Sequence, residues 1–213
     1  AGLRAVISRT AEAGTDPLTG VPNRAYLLGQ LRSRLAAHDI DRHPVTVLLV
    51  DLDRFKQIND ELGHLVGDRV LVEVAHRLAD VIRSTDVVAR FGGDEFAVLL
   101  SGGAGQPRPT EVAARIRAAV AQPVEIPGRW VRVGVTIGWS QADRRETDPM
   151  ALLQQADARL YAAKAARPGH RPAGRPAGRP TASSGRRPDG SASGPGPRPD
   201  YADGSDHPDD ADS

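Results

Sequence analysis

Apolar positions along the chain follow two periods, and the elements can be read from which period holds where. The most strand-like run is residues 45–50, Val-Thr-Val-Leu-Leu-Val. Shorter apolar runs at 87–89 and 96–100 flank the stretch Arg90-Phe91-Gly92-Gly93-Asp94-Glu95. Two short runs split by Gly-Gly read as strands joined by a tight turn, since glycine accepts the positive φ such a turn needs. Residues 124–126 and 130–140 read as another hairpin, with Val131, Val133, Val135 and Ile137 alternating against Arg132, Gly134 and Thr136.

Helical spacing fills the intervals. Pro22 is placed to open a helix lined by Tyr26, Leu27, Leu31 and Leu35. Phe55, Ile58 and Leu62 suggest a short helix, and Gly63 and Gly67 bracket a turn. Val70, Leu71, Val74, Leu78 and Ile82 then mark an amphipathic helix. Thr110 is a plausible N-cap for a helix carrying Val112, Ile116 and Val120. Asp148-Pro149 opens the last helix, with Leu152, Leu153, Ala156, Leu160 and Tyr161 facing inward. Residues 38–44 form a polar connection and 101–109 a loop. Together these predict an α/β (α+β) fold: a central, mostly antiparallel sheet flanked by helices.

The pattern fails at both ends. Leu3, Val6, Ile7 and Thr10 keep roughly helical spacing before Gly14, so residues 1–15 read as a linker or the end of a signalling helix. Residues 167–213 are Gly, Pro, Arg, Ser and Asp, with the repeat Arg-Pro-Ala-Gly at 171–178. Such a segment buries too little apolar surface to offset an ordering entropy of about 1–2 kcal/mol per residue, and is expected to be a disordered tail. It is basic up to Arg198 and acidic after Asp200. The folded domain is therefore expected over 16–166.

Composition narrows the classes without choosing one. Net charge is +1, so no bulk field favours nucleic acid, and none is expected as a partner. Cysteine is absent, which excludes disulfides and thiolate metal sites and fits a reducing compartment. No apolar run approaches the ~20 residues of a membrane helix. The chain opens at Ala1 and its single methionine is Met150, so a fragment or trimmed product is expected, with upstream segments missing.

The chemistry concentrates in two acidic turns. Run 45–50 ends in Asp51-Leu52-Asp53-Arg54-Phe55-Lys56. Strand alternation points Asp51 and Asp53 to one side and Leu52 to the other. If Asp94 and Glu95 of the hairpin come beside them, the acids form an all-oxygen site of the kind hard divalent cations prefer. Lys56 would offer a compact charge to phosphate. Gly92 and Gly93 carry no Cβ to hold a ligand's phosphates away. Taken singly, each turn is equally what a solvated surface hairpin presents.

The motifs together resemble the GGDEF domain of diguanylate cyclases. They are the Gly92-Gly93-Asp94-Glu95-Phe96 turn, Asp51-x-Asp53-x-Phe55-Lys56-x-x-Asn59-Asp60, and Gly63-His64-x-x-Gly67-Asp68. The opening Asp16-Pro17-Leu18-Thr19-Gly20-Val21-Pro22-Asn23-Arg24 and the closing Ala156-Asp157-x-x-Leu160-Tyr161-x-Ala163-Lys164 complete the set, over residues 16–164. The resemblance implies a fold similar to polymerase palms and class III nucleotidyl cyclases. It implies condensation of two GTP into cyclic di-GMP and two pyrophosphates across a two-fold homodimer, formed through the domain or an upstream helix.

Roles follow by resemblance. Asp51 and Asp94, helped by the Leu52 carbonyl and Glu95, would hold Mg²⁺, with Mn²⁺ as the alternative. Asp94 is also the family's proposed base, although a carboxylate already on a cation is a poor proton acceptor, so its metal role ranks first. Lys56 and Lys164 would meet the phosphates. Asn59 and Asp68 would read guanine, with His64 and Phe55 lining the pocket and Gly92 and Gly93 passing close to the nucleotide. Arg83-x-x-Asp86 matches the inhibitory motif that binds cyclic di-GMP as product and inhibitor. The family commonly follows its last lysine with Gly-Arg-Asn; here Lys164 leads to Ala165-Ala166-Arg167, and an arginine placed one residue early is rotated by about 100° on a helix. A cytoplasmic domain is implied, attached in the whole protein to an upstream sensory or membrane-tethered region. The competing readings are a non-catalytic receptor for GTP or cyclic di-GMP acting through a protein partner, and a cyclase with a different base preference.

Overall fold

The computed structural model describes residues 14–37, 44–103, 105–142 and 148–166. All elements below belong to one compact unit, Ala1–Gly174, whereas a second unit, Arg175–Ser213, lies outside the described residues. So do the expected leading helix, the polar connection up to residue 43, Arg167 and the tail.

In chain order the elements are α1 (Arg24–Ala36), β1 (Val45–Asp53), α2 (Phe55–Leu62), α3 (His64–Val81), β2 (Val87–Arg90) and β3 (Glu95–Ser101). They continue with α4 (Pro109–Val120), β4 (Val124–Ile126), β5 (Arg129–Val131), β6 (Gly134–Gln141) and α5 (Pro149–Ala165). The main sheet is antiparallel throughout, in the order β2-β3-β1-β6, and β4 and β5 form a separate two-stranded hairpin.

β1 is central, and its period-two alternation builds two cores. Leu48, Val50 and Leu52 join Phe96, Val98 and Ile137 beneath α2, α3 and α4, represented by Phe55, Val74 and Ile116. Val45, Val47 and Leu49 join Ala97 and Leu99 beneath α1 and α5, represented by Leu31 and Leu160. Each such fully buried side chain contributes on the order of 1.5–3 kcal/mol. The sheet thus comes from long-range packing of apolar strands, as the sequence pattern predicted.

Local expectations need correction in several places. β1 runs through Asp53, so its acids stand on a strand rather than in a turn after it. The helix near Pro22 begins later, with the Asn23 side chain accepting from Tyr26 N at 3.0 Å, because the Pro22 carbonyl instead accepts from Arg90 N at 2.9 Å. Thr110 is not the cap of α4: Pro109 sits in the first turn, and Arg108 N donates to the Glu111 carboxylate at 3.3 Å. Tyr26 and Tyr161 are exposed rather than inward-facing, a fit for rings with a polar tip. Residues 130–140 are split, since β5 pairs only with β4 while β6 crosses to the main sheet beside β1.

Candidate functional site

The site is built where the central strand ends. β1 and β3 pair with Asp51 opposite Glu95, and Leu52 N donates to the Asp94 carbonyl at 3.2 Å. On its other side Asp51 is opposite Thr136 of β6. The two acidic segments, far apart in the chain, therefore converge. Alternation puts Asp51 on the α1/α5 face with Val47 and Leu49, and Leu52 in the opposite core.

The turn between β2 and β3 differs from the expected tight glycine turn. Neither Gly92 nor Gly93 takes a positive φ. The turn is instead held by donors: Phe91 N and Gly92 N both reach the Glu95 carbonyl, at 2.8 and 3.2 Å. Gly92 keeps the space beside the Glu95 carboxylate open, since a Cβ there would lie 3.0 Å from Glu95 Oε2 and press on it.

Arg90 anchors this turn from below. Its Nε and Nη2 donate to the Gly93 carbonyl at 3.1 and 2.8 Å, and its Nη1 pairs with Asp16 at 3.2 Å. Asp16 also accepts from Thr19 N and Oγ1, at 2.9 and 2.7 Å. Burial pushes the Asp16 carboxyl up, but the hydrogen bonds from Thr19 and Arg90 outweigh it and hold it below the usual range. The opening motif thus braces the acidic turn, a role that residue spacing did not reveal; Asp16-x-x-Thr19, a carboxylate able to accept from Thr19, was the available signal.

Electrostatics at the strand end favour a cation. Burial raises the Asp51 carboxyl above its ordinary value, Lys164 opposes this, and the charges of Asp94 and Asp53 reinforce it. Glu95 is raised as well, by burial first and then by Asp51 and Asp94. Lys164 of α5 reaches in, with Nζ 2.7 Å from Asp51 Oδ2. Asp53, by contrast, is engaged by Thr136 Oγ1 at 2.6 Å. Among the described residues no three His, Cys, Asp or Glu form a cage that could hold a metal by itself. Mg²⁺ commonly takes only one or two protein carboxylates and fills its shell with water and phosphate oxygens. The donor set is hard oxygen, and an ammonium already stands against Asp51 as a cation would, so the residues fit a divalent ion.

A second sub-site lies at the α2–α3 corner, on the other face of the sheet. Arg54, left-handed at φ 58°, turns β1 directly into α2. Asn59 Oδ1 is buried and has no hydrogen-bond partner. It rests on Gly67, which is a buried residue inside α3 and not part of a turn; only the bend at Gly63 separates the helices. A Cβ at Gly67 would collide with Asn59 Oδ1, so the glycine is a cradle for that side chain. Phe55 is buried beside them, whereas Lys56 and His64 are exposed. Asp68 is half-buried and lines a groove with Leu18, Leu65 and Trp130. An orphaned carbonyl oxygen and a nearby carboxylate suit a ligand edge carrying donors.

Arg83 and Asp86 lie apart from both sub-sites, at the start of β2. Asp86 Oδ1 accepts from Ser101 N at 3.0 Å and Oδ2 from Arg83 N at 3.2 Å. Arg34 of α1 closes the same corner, donating to Ser101 Oγ at 2.7 Å and to the Thr85 carbonyl at 2.8 Å.

With this geometry in hand, comparison with known proteins is informative. Residues 13–170 match the family model described as "Diguanylate cyclase, GGDEF domain". The diguanylate cyclase TpbB of Pseudomonas aeruginosa is 42% identical over 154 residues, covering 72% of this chain and 35% of TpbB. The chain spans between about a fifth and a third of the length of the curated relatives it matches. Among solved structures, a sensory box/GGDEF family protein from Caulobacter crescentus aligns with TM-score 0.67 and 37% identity, covering 71% of this chain and 98% of that one. The coiled coil and GGDEF domain of DgcB from the same species, solved in complex with c-di-GMP, aligns with TM-score 0.67 and 27% identity over 76% and 87% of the two chains.

Proposed function

Because this chain belongs to the diguanylate cyclase GGDEF domain family, we propose that it condenses two GTP into cyclic di-GMP, with its catalytic unit over residues 16–166. Each ribose hydroxyl attacks the α-phosphate of the other nucleotide, forming one phosphodiester bond and releasing pyrophosphate, and the two attacks close the ring. One domain binds one GTP, so two copies face each other across a two-fold axis.

The observation that carries this reading is the convergence of Asp51 with Asp94 and Glu95 beside Lys164. Asp51 and Asp94, with the Leu52 carbonyl and with Glu95 alongside, would hold a divalent ion, Mg²⁺ or Mn²⁺, which when bound would supply Lewis acidity to the phosphates. The chain's own groups do the rest. Lys164 and Lys56 neutralise phosphate charge, and the turn Gly92-Gly93 lets the nucleotide lie close to the backbone. Asn59, whose Oδ1 has no hydrogen-bond partner among the described residues, and Asp68 offer the base two acceptors in this reading. Guanine presents N1–H and an exocyclic amine, which suits two such acceptors; adenine lacks that pair of donors. Phe55 and His64 flank the base.

Arg83 and Asp86 form the product site in this reading. The Asp86 carboxylate braces the start of β2 against β3 and retains lone pairs for guanine, while the Arg83 guanidinium would fork onto phosphate. Arg83→Ala is expected to abolish product inhibition while leaving turnover at low product intact.

The deciding experiment is to incubate the purified chain with GTP and Mg²⁺ and identify the product by mass. Cyclic di-GMP is expected, rising when two copies are joined by a fused dimerising coiled coil. A forced dimer that binds GTP and yields no cyclic product would overturn the proposal in favour of a receptor module.

A further inference from the structure

Asp51 already has a cation against it. Lys164 Nζ lies 2.7 Å from its Oδ2, with the two side chains only 25% and 12% exposed. The placement is set by the helix. Leu152, Ala156 and Leu160 form the stripe that seats α5 on the sheet, and Lys164 continues that stripe one turn on. The seat is backbone on backbone: a Cβ at Gly138 of β6 would collide with the Leu160 nitrogen and the Ala156 carbonyl. Helix and sheet therefore set the Lys164 backbone where its ammonium reaches Asp51.

We propose that Lys164 is a resident counter-ion that blocks a bare divalent cation from Asp51 and yields only when a nucleoside triphosphate arrives with it. This rests on the reading of Asp51 as a cation ligand and Lys164 as a phosphate contact. A lone cation would have to strip Asp51 from the ammonium and leave a shielded lysine with only the weaker pull of Glu95, which is costly. A triphosphate gives the ammonium a new anionic partner, and that cost disappears. Cation and nucleotide are then thermodynamically coupled, each tightening the other by the same factor. The site would stay free of metal in the absence of substrate, although its acids face one another.

The test is nucleotide-free binding of Mn²⁺ alone, followed by the loss of the free-ion electron paramagnetic resonance signal and by calorimetry. Lys164→Gln is expected to bind Mn²⁺ about tenfold or more tightly than wild type without nucleotide, with a correspondingly smaller gain on adding a non-hydrolysable GTP analogue. Lys164→Arg, which keeps the charge, should resemble wild type. Lys164→Met repeats the measurement with an apolar side chain, and thermal melting checks that each variant is folded. Unchanged or weaker Mn²⁺ binding by both Lys164→Gln and Lys164→Met overturns the proposal. Asp51→Asn separates the two levels. If it loses Mn²⁺ binding in the presence of the analogue while the lysine variants behave as wild type, only the counter-ion role fails. If it binds Mn²⁺ as wild type does, the assignment of Asp51 falls, and the counter-ion role falls with it.

Discussion

The charged end of β1 and the α2–α3 corner sit on opposite faces of one sheet and are incomplete in opposite ways. At the strand end, Asp51, Asp94 and Glu95 crowd together, and an internal ammonium offsets part of their repulsion. At the corner the buried group carries no charge: a neutral amide oxygen, Asn59 Oδ1, lies against Gly67 with no hydrogen-bond partner among the described residues. Leaving such an acceptor unmade costs about 1–3 kcal/mol in the empty protein. The first region has substituted one of its own groups for a ligand, and the second simply stays unsatisfied. The difference follows from physics, since unscreened charge in a partly buried place is far more expensive than one idle carbonyl.

The largest expected effect breaks the charged half. Asp94→Asn removes a proposed cation ligand and is expected to lower kcat/KM by about 10³-fold or more while melting close to wild type, measured by cyclic di-GMP formation and calorimetry. Next, Gly67→Ala attacks the neutral half through its cradle. Its Cβ displaces Asn59, so the GTP analogue should bind on the order of 10- to 100-fold more weakly, with a stability loss of about 1–3 kcal/mol. Asn59→Ala sharpens the contrast. It should weaken analogue binding about tenfold yet leave the empty domain as stable as wild type or more so, because the orphaned acceptor goes with it.

The smallest effect is a pH dependence. The Glu95 carboxyl is raised in the folded state, by burial and then by Asp51 and Asp94. A raised carboxyl adds stability below its unfolded value and loses it as pH rises through the folded one. Glu95→Gln should therefore melt slightly above wild type at neutral pH without metal, the gap closing as pH falls into the ordinary glutamate range. Added Mg²⁺ with nucleotide should reverse the order.

The two regions were not equally legible in the sequence. Strand alternation sufficed to place Asp51 and Leu52 on opposite sides, because β1 is regular and buried on both faces. The same alternation misled at 130–140: Val131, Val133 and Val135 keep period two straight across the point where the chain leaves one sheet for another. Gly67 looked like a turn residue, since glycine is unusual inside a helix; its reason is a neighbour on another helix, which no local pattern encodes. Asn59 and Asp68 were legible only through the family motif. The contact of Lys164 with Asp51 depends on how α5 seats against β6, and the Asp16–Arg90 brace on how the opening loop meets β2. Such pairings are decided by tertiary packing. At the helix starts, Asn23 and Arg108 took the places expected of Pro22 and Thr110 because hydrogen-bond geometry shifted each boundary by one or two residues.

Arg54 binds the two halves together. One residue with left-handed torsions takes the chain from the last carboxylate of β1 into the first turn of α2, where a flexible loop would otherwise intervene. The carboxylates at the end of β1 and Asn59 of α2 are therefore joined by a short, defined stretch of backbone. In the proposed reading a nucleoside triphosphate would be measured against both ends together, and a ligand too short to touch both would gain only part of what the domain offers.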